Sequence, residues 1–277
     1  MDMKKLLYVL IALTLIAGKC KKEEPGTGGG EEPQTYECLP DELVYTDHQD
    51  DSENETTKYY YNGNAIDKKK RTFSDDSYLT YRYVYQNKEK GLLDRINIMS
   101  GNSVIAKIMY TLQDEKTMKR ELYIMSMNST AWEIFYTYNA DGKVATMQIK
   151  DYDLWDRDED GVNEPTDETA VLTYTGDNVT NIKWYNTADM NTITEEYDYE
   201  YDQGKRAFDN VVTQTFPSIR VNNVTKITRN VYGNNPKTEI TIVDIVYNNK
   251  GFPVKYVSAD DRNNLMSTQD ITYNNCD

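Results

Sequence analysis

Histidine is almost missing from this chain: His48 is the only one, within the polar run Tyr45-Thr46-Asp47-His48-Gln49-Asp50-Asp51. That excludes any centre needing two imidazoles and leaves one residue to serve any Ser-His-Asp or Cys-His arrangement. The chain has no Gly-x-Ser-x-Gly and no His-Glu-x-x-His, the signatures of a nucleophile elbow and of a zinc protease helix. Basic residues are scarce, 31 Lys and Arg against 46 Asp and Glu, for a net charge of −15, which argues against nucleic acid as a partner. Carboxylates are so numerous that no pair stands out as an acid–base couple, so the chain reads as non-catalytic. Also missing is an apolar run long enough for a membrane span. Leu6 to Ala17 follows Lys4 and Lys5 and covers about 18 Å as a helix, against roughly 30 Å of hydrocarbon.

That run has the layout of a secretory signal peptide, residues 1–19. Ile16-Ala17-Gly18-Lys19-Cys20 resembles the lipobox of bacterial lipoproteins, with Lys19 where a small residue is usual. The resemblance implies that Cys20 carries the lipid and becomes the new N-terminus. Lys21-Lys22-Glu23-Glu24 is similar to the signal that sends Bacteroidota lipoproteins to the outer face of the outer membrane, so membrane contact is expected through the lipid alone. Residues 20–35, with Glu-Glu-Pro-Gly-Thr-Gly-Gly-Gly-Glu-Glu-Pro-Gln-Thr at 23–35, offer no large apolar group and read as a disordered spacer. Their glycines follow no strand and open no helix, which excludes a phosphate loop.

The remaining residues, 36–277, read as a single all-β domain. The chain has 24 Tyr against 5 Phe and 3 Trp, and tyrosine suits a half-buried pleated surface. Period-two alternation runs through Val104 to Leu112, Glu121 to Met127 and Trp132 to Tyr138. Turn clusters separate such runs at Gln113 to Lys116, Asn128 to Thr130, Asn139 to Gly142, Gly176 to Asn178 and Asn248 to Gly251. The expected fold is one antiparallel meander of hairpins, curved into a roll or open barrel.

A unit recurs in which a strand ends in Tyr plus a turn residue, Gly reverses the chain, and an apolar strand resumes. Tyr136 to Val144 is echoed by Ile245 to Val254, and more loosely by Leu172 to Val179 and Tyr199 to Lys205. These units resemble tyrosine-aspartate repeats of the Rhs type. The domain as a whole, with Glu196-Tyr197-Asp198-Tyr199-Glu200-Tyr201-Asp202 followed by Phe208-Asp209-Asn210, resembles surface lipoproteins of unknown function from gut Bacteroidota, which implies a porin-like or roll-shaped sheet. Tyr138, Tyr174, Tyr201, Tyr247 and Tyr273 are spaced 36, 27, 46 and 26 apart, too uneven for a strict solenoid.

Several residues are candidates for function. Cys38 and Cys276 flank the domain and either form a disulfide, as export permits, or stay as two thiols. A binding module for polysaccharide would present exposed rings, and Trp132, Trp155 and Trp184, with Tyr152 beside Trp155, are the candidates. The alternative is a structural or assembly role with an outer-membrane protein partner. Asp156, Asp158, Asp160, Glu164 and Asp167 fall at positions 1, 3, 5, 9 and 12 of a loop with Gly161 at 6. Such a loop can wrap a structural Ca²⁺, with the Val162 carbonyl as a further ligand; the other reading is a charged hairpin tip. Titrating calcium into chelator-stripped protein separates the two. Binding near 0.1 to 1 mM that is lost in Asp158→Ala and Asp160→Ala supports the cation site, and no heat at several millimolar leaves a solvated turn.

Overall fold

The computed structural model describes residues 38–152, 166–212, 222–233 and 235–276. Period-two patterning dominates them, and they form sixteen strands with one short 3-10 turn at Asp51–Glu53. The strands are β1 (Leu39–Asp47), β2 (Glu55–Asn62), β3 (Ala65–Phe73), β4 (Tyr78–Asn87), β5 (Leu92–Ser100), β6 (Ser103–Gln113), β7 (Lys116–Ile124) and β8 (Ser129–Tyr138). They continue as β9 (Val144–Asp151), β10 (Thr166–Thr175), β11 (Asn178–Asn186), β12 (Asp189–Tyr201), β13 (Val224–Val231), β14 (Lys237–Tyr247), β15 (Pro253–Asp260) and β16 (Leu265–Asn274). Each pairs antiparallel with its neighbours in sequence, and β1 pairs with β16, so the meander closes into a barrel. One boundary differs from the sequence reading. The alternation through Met127 suggested a longer strand, but β7 stops at Ile124, because Asn128 takes a positive φ of 50° and closes the turn onto Met125.

Up-and-down topology puts all turns from even to odd strands at one end, together with Cys38 and Cys276. These two are joined by a disulfide with Cα atoms 4.4 Å apart, across a separation of 238 residues. The recurring unit builds this end. In both 139–143 and 248–252, Asn opens the turn: its N–H donates to the carbonyl four residues on (2.8 and 2.9 Å), and its Oδ1 accepts the N–H of that same residue (2.9 Å in each). Gly142 and Gly251 supply φ of 75° and 81°, which a Cβ would disfavour.

The strand-ending tyrosines then staple the strand pairs that no turn joins at this end. Tyr61 of β2 donates to the Pro40 carbonyl on β1 (2.7 Å), Tyr138 of β8 to Thr117 on β7 (2.6 Å) and Tyr273 of β16 to Pro253 on β15 (2.6 Å). Tyr85 and Tyr201 do the same to Ile66 and Val179. Tyr138, Tyr174, Tyr201, Tyr247 and Tyr273 thus fall on every second strand. Their uneven spacing reflects the long connections between β9 and β10 and between β12 and β13, rather than an uneven architecture.

Sixteen strands enclose more width than strand side chains alone fill. At the disulfide end the space is taken by residues 202–212, which cross from β12 to the β2–β3 turn. Arg206, Ala207, Phe208 and Val211 are buried there, Phe208 meets the Tyr59 ring edge-on at 5.2 Å, and the Val212 N–H donates to Asn64. Asn223 locks the segment. Its amide donates to the Lys205 carbonyl (2.8 Å) and the Tyr247 hydroxyl (2.9 Å), and its Oδ1 accepts from Tyr256 (2.9 Å).

These contacts set the cost of three substitutions. Tyr138→Phe removes a half-buried hydrogen bond and is expected to cost about 1 kcal/mol in urea unfolding. Tyr174→Phe is expected to cost nothing, since the Tyr174 hydroxyl is buried without a hydrogen-bond partner among the described residues. Gly204→Ala places a methyl group against the Tyr247 ring, which Asn223 and Asp202 hold in place, so a drop in melting temperature of several degrees is expected.

Candidate functional site

Register and burial together assign the two faces of the wall. The inward phase holds the core, including Leu43, Tyr83, Ile96, Ile108, Ile134, Tyr136, Met147, Leu172, Ile182 and Ile271. The outward phase is charged. Lys119 pairs with Glu121 at 2.8 Å and with Glu133, and Lys183 meets Glu196 at 3.5 Å. Further round, Lys226 pairs with Glu200 at 2.7 Å and Lys255 with Asp270 at 3.3 Å. Each charge on a lipid-facing barrel wall costs about 2 to 4 kcal/mol near the bilayer midplane. The polarity is therefore that of a barrel standing in water with its apolar face inside.

Toward the end opposite the disulfide, the inward phase turns polar between aromatic rings. On β2 and β3, Glu55 and Arg71 form a buried ion pair, with Arg71 across from Leu79 and Lys69 across from Tyr81. The Lys69 ammonium lies over the Tyr81 ring, 4.6 Å from its centroid. On β7 and β8, the Arg120 guanidinium stacks on Trp132 at 5.2 Å. On β12 to β14, Arg229 holds Glu195 through two bonds of 2.7 and 3.1 Å and reaches Glu239 at 3.0 Å, while the Tyr197 hydroxyl donates to Glu195 at 2.7 Å. Asp151, buried, faces inward beside Trp132 in the β8–β9 register. The mouth thus offers rings and fixed hydrogen-bonding groups on the same wall.

The sequence candidates are distributed differently from the expectation. Trp132 and Trp184 are only 7% and 8% exposed and lie in the core cluster, so neither presents a ring on the outer surface. Their strand phase explains this correction, because Trp132 alternates with Ile134 and Tyr136, and Trp184 with Ile182. Tyr152 is 39% exposed, and its hydroxyl donates to Glu133, which raises its pKa to about 12. Trp155, Asp156, Asp158, Asp160, Val162 and Glu164 lie outside the described residues, as does Cys20. Asp167 is on β10 opposite Lys150, with its carboxylate accepting two contacts from Gln148 at 2.8 and 3.1 Å. His48 is exposed on the rim beside Thr268. Among the described residues, no group of three or more His, Cys, Asp or Glu could hold a metal.

The inward charges of Glu55, Lys69, Arg71, Arg120, Glu195 and Arg229 were missed by sequence reasoning. The available signal was phase: each stands where its alternating strand otherwise carries apolar or tyrosine side chains, as Arg120 does before Leu122 and Ile124.

The barrel has known counterparts in fold. A porin-like protein of Bacteroides uniformis superposes with a TM-score of 0.52 at 12% identity, covering 87% of this chain and 100% of that one. A porin-like protein of Bacteroides vulgatus gives 0.52 at 10% identity, covering 86% and 99%. No protein-family model matches the chain, and no curated protein matches it in sequence.

Desolvation pushes the Lys69 ammonium down to about 8; the Arg71 charge adds to the shift and Glu55 opposes it. The folded value lies below the unfolded one, so folding favours the neutral amine. The penalty is full below about pH 8 and is relieved as pH rises toward the unfolded value near 10.4. Above about pH 10, tyrosines held near 12 by burial, such as Tyr110 and Tyr138, begin to lose stability in the opposite sense. Lys69→Met is therefore expected to melt higher than the parent at neutral pH and equal to it near pH 10, as read by thermal unfolding at both values.

Proposed function

We propose that the chain is a lipid-tethered protein of the outer cell surface whose barrel binds a saccharide, without catalysis, at the mouth opposite its tether. The observation that carries this is the inner wall of that mouth, where the Tyr81 ring lies under Lys69, the Arg120 guanidinium over Trp132, and Arg229, paired with Glu195, over Tyr197. Rings suit the apolar faces of sugars, and charge-assisted donors and acceptors suit their hydroxyls. The tether reading fits the same geometry. Cys20 precedes Cys38 by eighteen residues, a flexible reach of roughly 23 Å, and the chain enters the barrel at the disulfide end. The mouth then points away from the membrane.

A second reading, a protein partner seated on the rim, has an observation of its own. Tyr78, Ile105, Met125, Met127, Tyr152, Met190, Tyr232 and Leu265 are exposed apolar side chains, and all lie at this same end of the barrel. Acidic groups such as Asp50, Asp75 and Asp261 surround them.

A glycan array on residues 36–277, followed by titration calorimetry of the hits, tests the first reading; all sixteen strands fall within this fragment. Binding is expected to weaken at least tenfold in Arg229→Gln, whose side chain is partly exposed in this wall, and to be unchanged in a Met125→Ser, Met127→Ser double variant. A silent array, or a loss confined to the double variant, would move function onto the rim.

A further inference from the structure

We propose that the inner wall formed by β2, β3 and β4 is an anion-binding site, built on Lys69 with Arg71, for the carboxylate of an acidic saccharide. The inference rests on the saccharide reading for the rest of the ligand and on the local charge for the carboxylate.

Lys69 and Arg71 are two residues apart on β3 and share the inward face. Arg71 is matched by Glu55. Lys69 is not: among the described residues no carboxylate lies within ion-pair distance of its ammonium, which meets only the Tyr81 ring. The groups facing it are few. They are Glu55 and Tyr59 on β2, Arg71 on its own strand, and Tyr81 on β4. Two cations against one anion leave a local excess of one positive charge between two aromatic walls, in a chain that is acidic overall. The outer carboxylates are screened within about 8 to 10 Å in physiological salt and do not cancel a charge held inside the wall.

Lys69 keeps part of its surface exposed. Four residues separate Lys69 from the strand end at Phe73, a depth of about 13 Å from the mouth. Arg71 lies on the way in, and Tyr59 with Phe208 closes the wall below. An ammonium partly stripped of water and lacking a counter-ion gains when a carboxylate arrives, and the approach of that anion restores its affinity for the proton.

The test uses the mature protein, with trigalacturonate, maltotriose and inorganic phosphate each titrated calorimetrically from pH 6.5 to 9.5. Trigalacturonate is expected to bind at least tenfold more tightly than maltotriose at pH 6.5, and to weaken about tenfold per unit above pH 8 as Lys69 deprotonates. Lys69→Met should erase the preference. Lys69→Arg should keep it and flatten the pH profile, a result that a merely structural lysine would not produce. Matching melting curves show that the variants fold. Equal binding of the two sugars with no pH dependence overturns the anion site while leaving the saccharide reading intact. Lys69-dependent binding of phosphate without either sugar supports the anion site and overturns the saccharide reading. A preference for trigalacturonate that survives in Lys69→Met overturns the assignment to this residue.

Discussion

Closure of the sheet is the constraint on which everything else depends. β1 runs against β16 over eight register pairs, from Leu39 with Asn274 to Asp47 with Ser267. Without that ladder both strands would be open edges, and the inward phase would be the face of an open curtain. With it, a two-residue period becomes an inside and an outside, and a slip of one residue in any strand would send its core residues into water. The same end carries the disulfide, the tyrosine staples and residues 202–212. Loop-closure entropy for so long a cross-link amounts to roughly 5 kcal/mol against the unfolded chain. The tyrosine hydroxyls add local fixation where no turn connects the strands.

Closure also explains how a porin-like architecture can carry an outer wall unlike that of a membrane barrel. The topology needs only sixteen paired strands with compatible twist and stagger; the solvent is decided by which phase is apolar. Here Lys119 with Glu133 and Lys183 with Glu196 occupy the outward phase, while Ile134, Tyr136 and Ile182 occupy the inward one. A fold is a frame and does not by itself name an environment or a ligand.

The two ends of the barrel have different characters for a connected reason. At the disulfide end the turns other than the β12–β13 connection are short, and the space within is filled by Phe208, Val211 and the Asn223 hub, so side chains there serve packing. At the opposite end the inward phase becomes polar, with Glu55, Arg71, Glu195 and Arg229 paired across strands. Buried ion pairs add little net stability compared with apolar packing. Their presence inside an apolar wall suits the binding role proposed for this mouth.

Much of this was readable from the residues. Alternation located the strands, Asn and Gly located the turns, and the tyrosines before those turns marked one end of the structure, because these signals act within a few residues along the chain. A single histidine excludes a centre built on two imidazoles without any fold. The sequence left open which phase faces inward, whether β1 meets β16, and whether Cys38 reaches Cys276. It also misplaced Trp132 and Trp184, which follow the phase of Ile134 and Ile182 into the core rather than lying on the surface. Glu55 with Arg71 is separated by sixteen residues and Glu195 with Arg229 by thirty-four. Such pairings depend on register and closure, which arise only when distant strands meet, and so they belong to the tertiary structure alone.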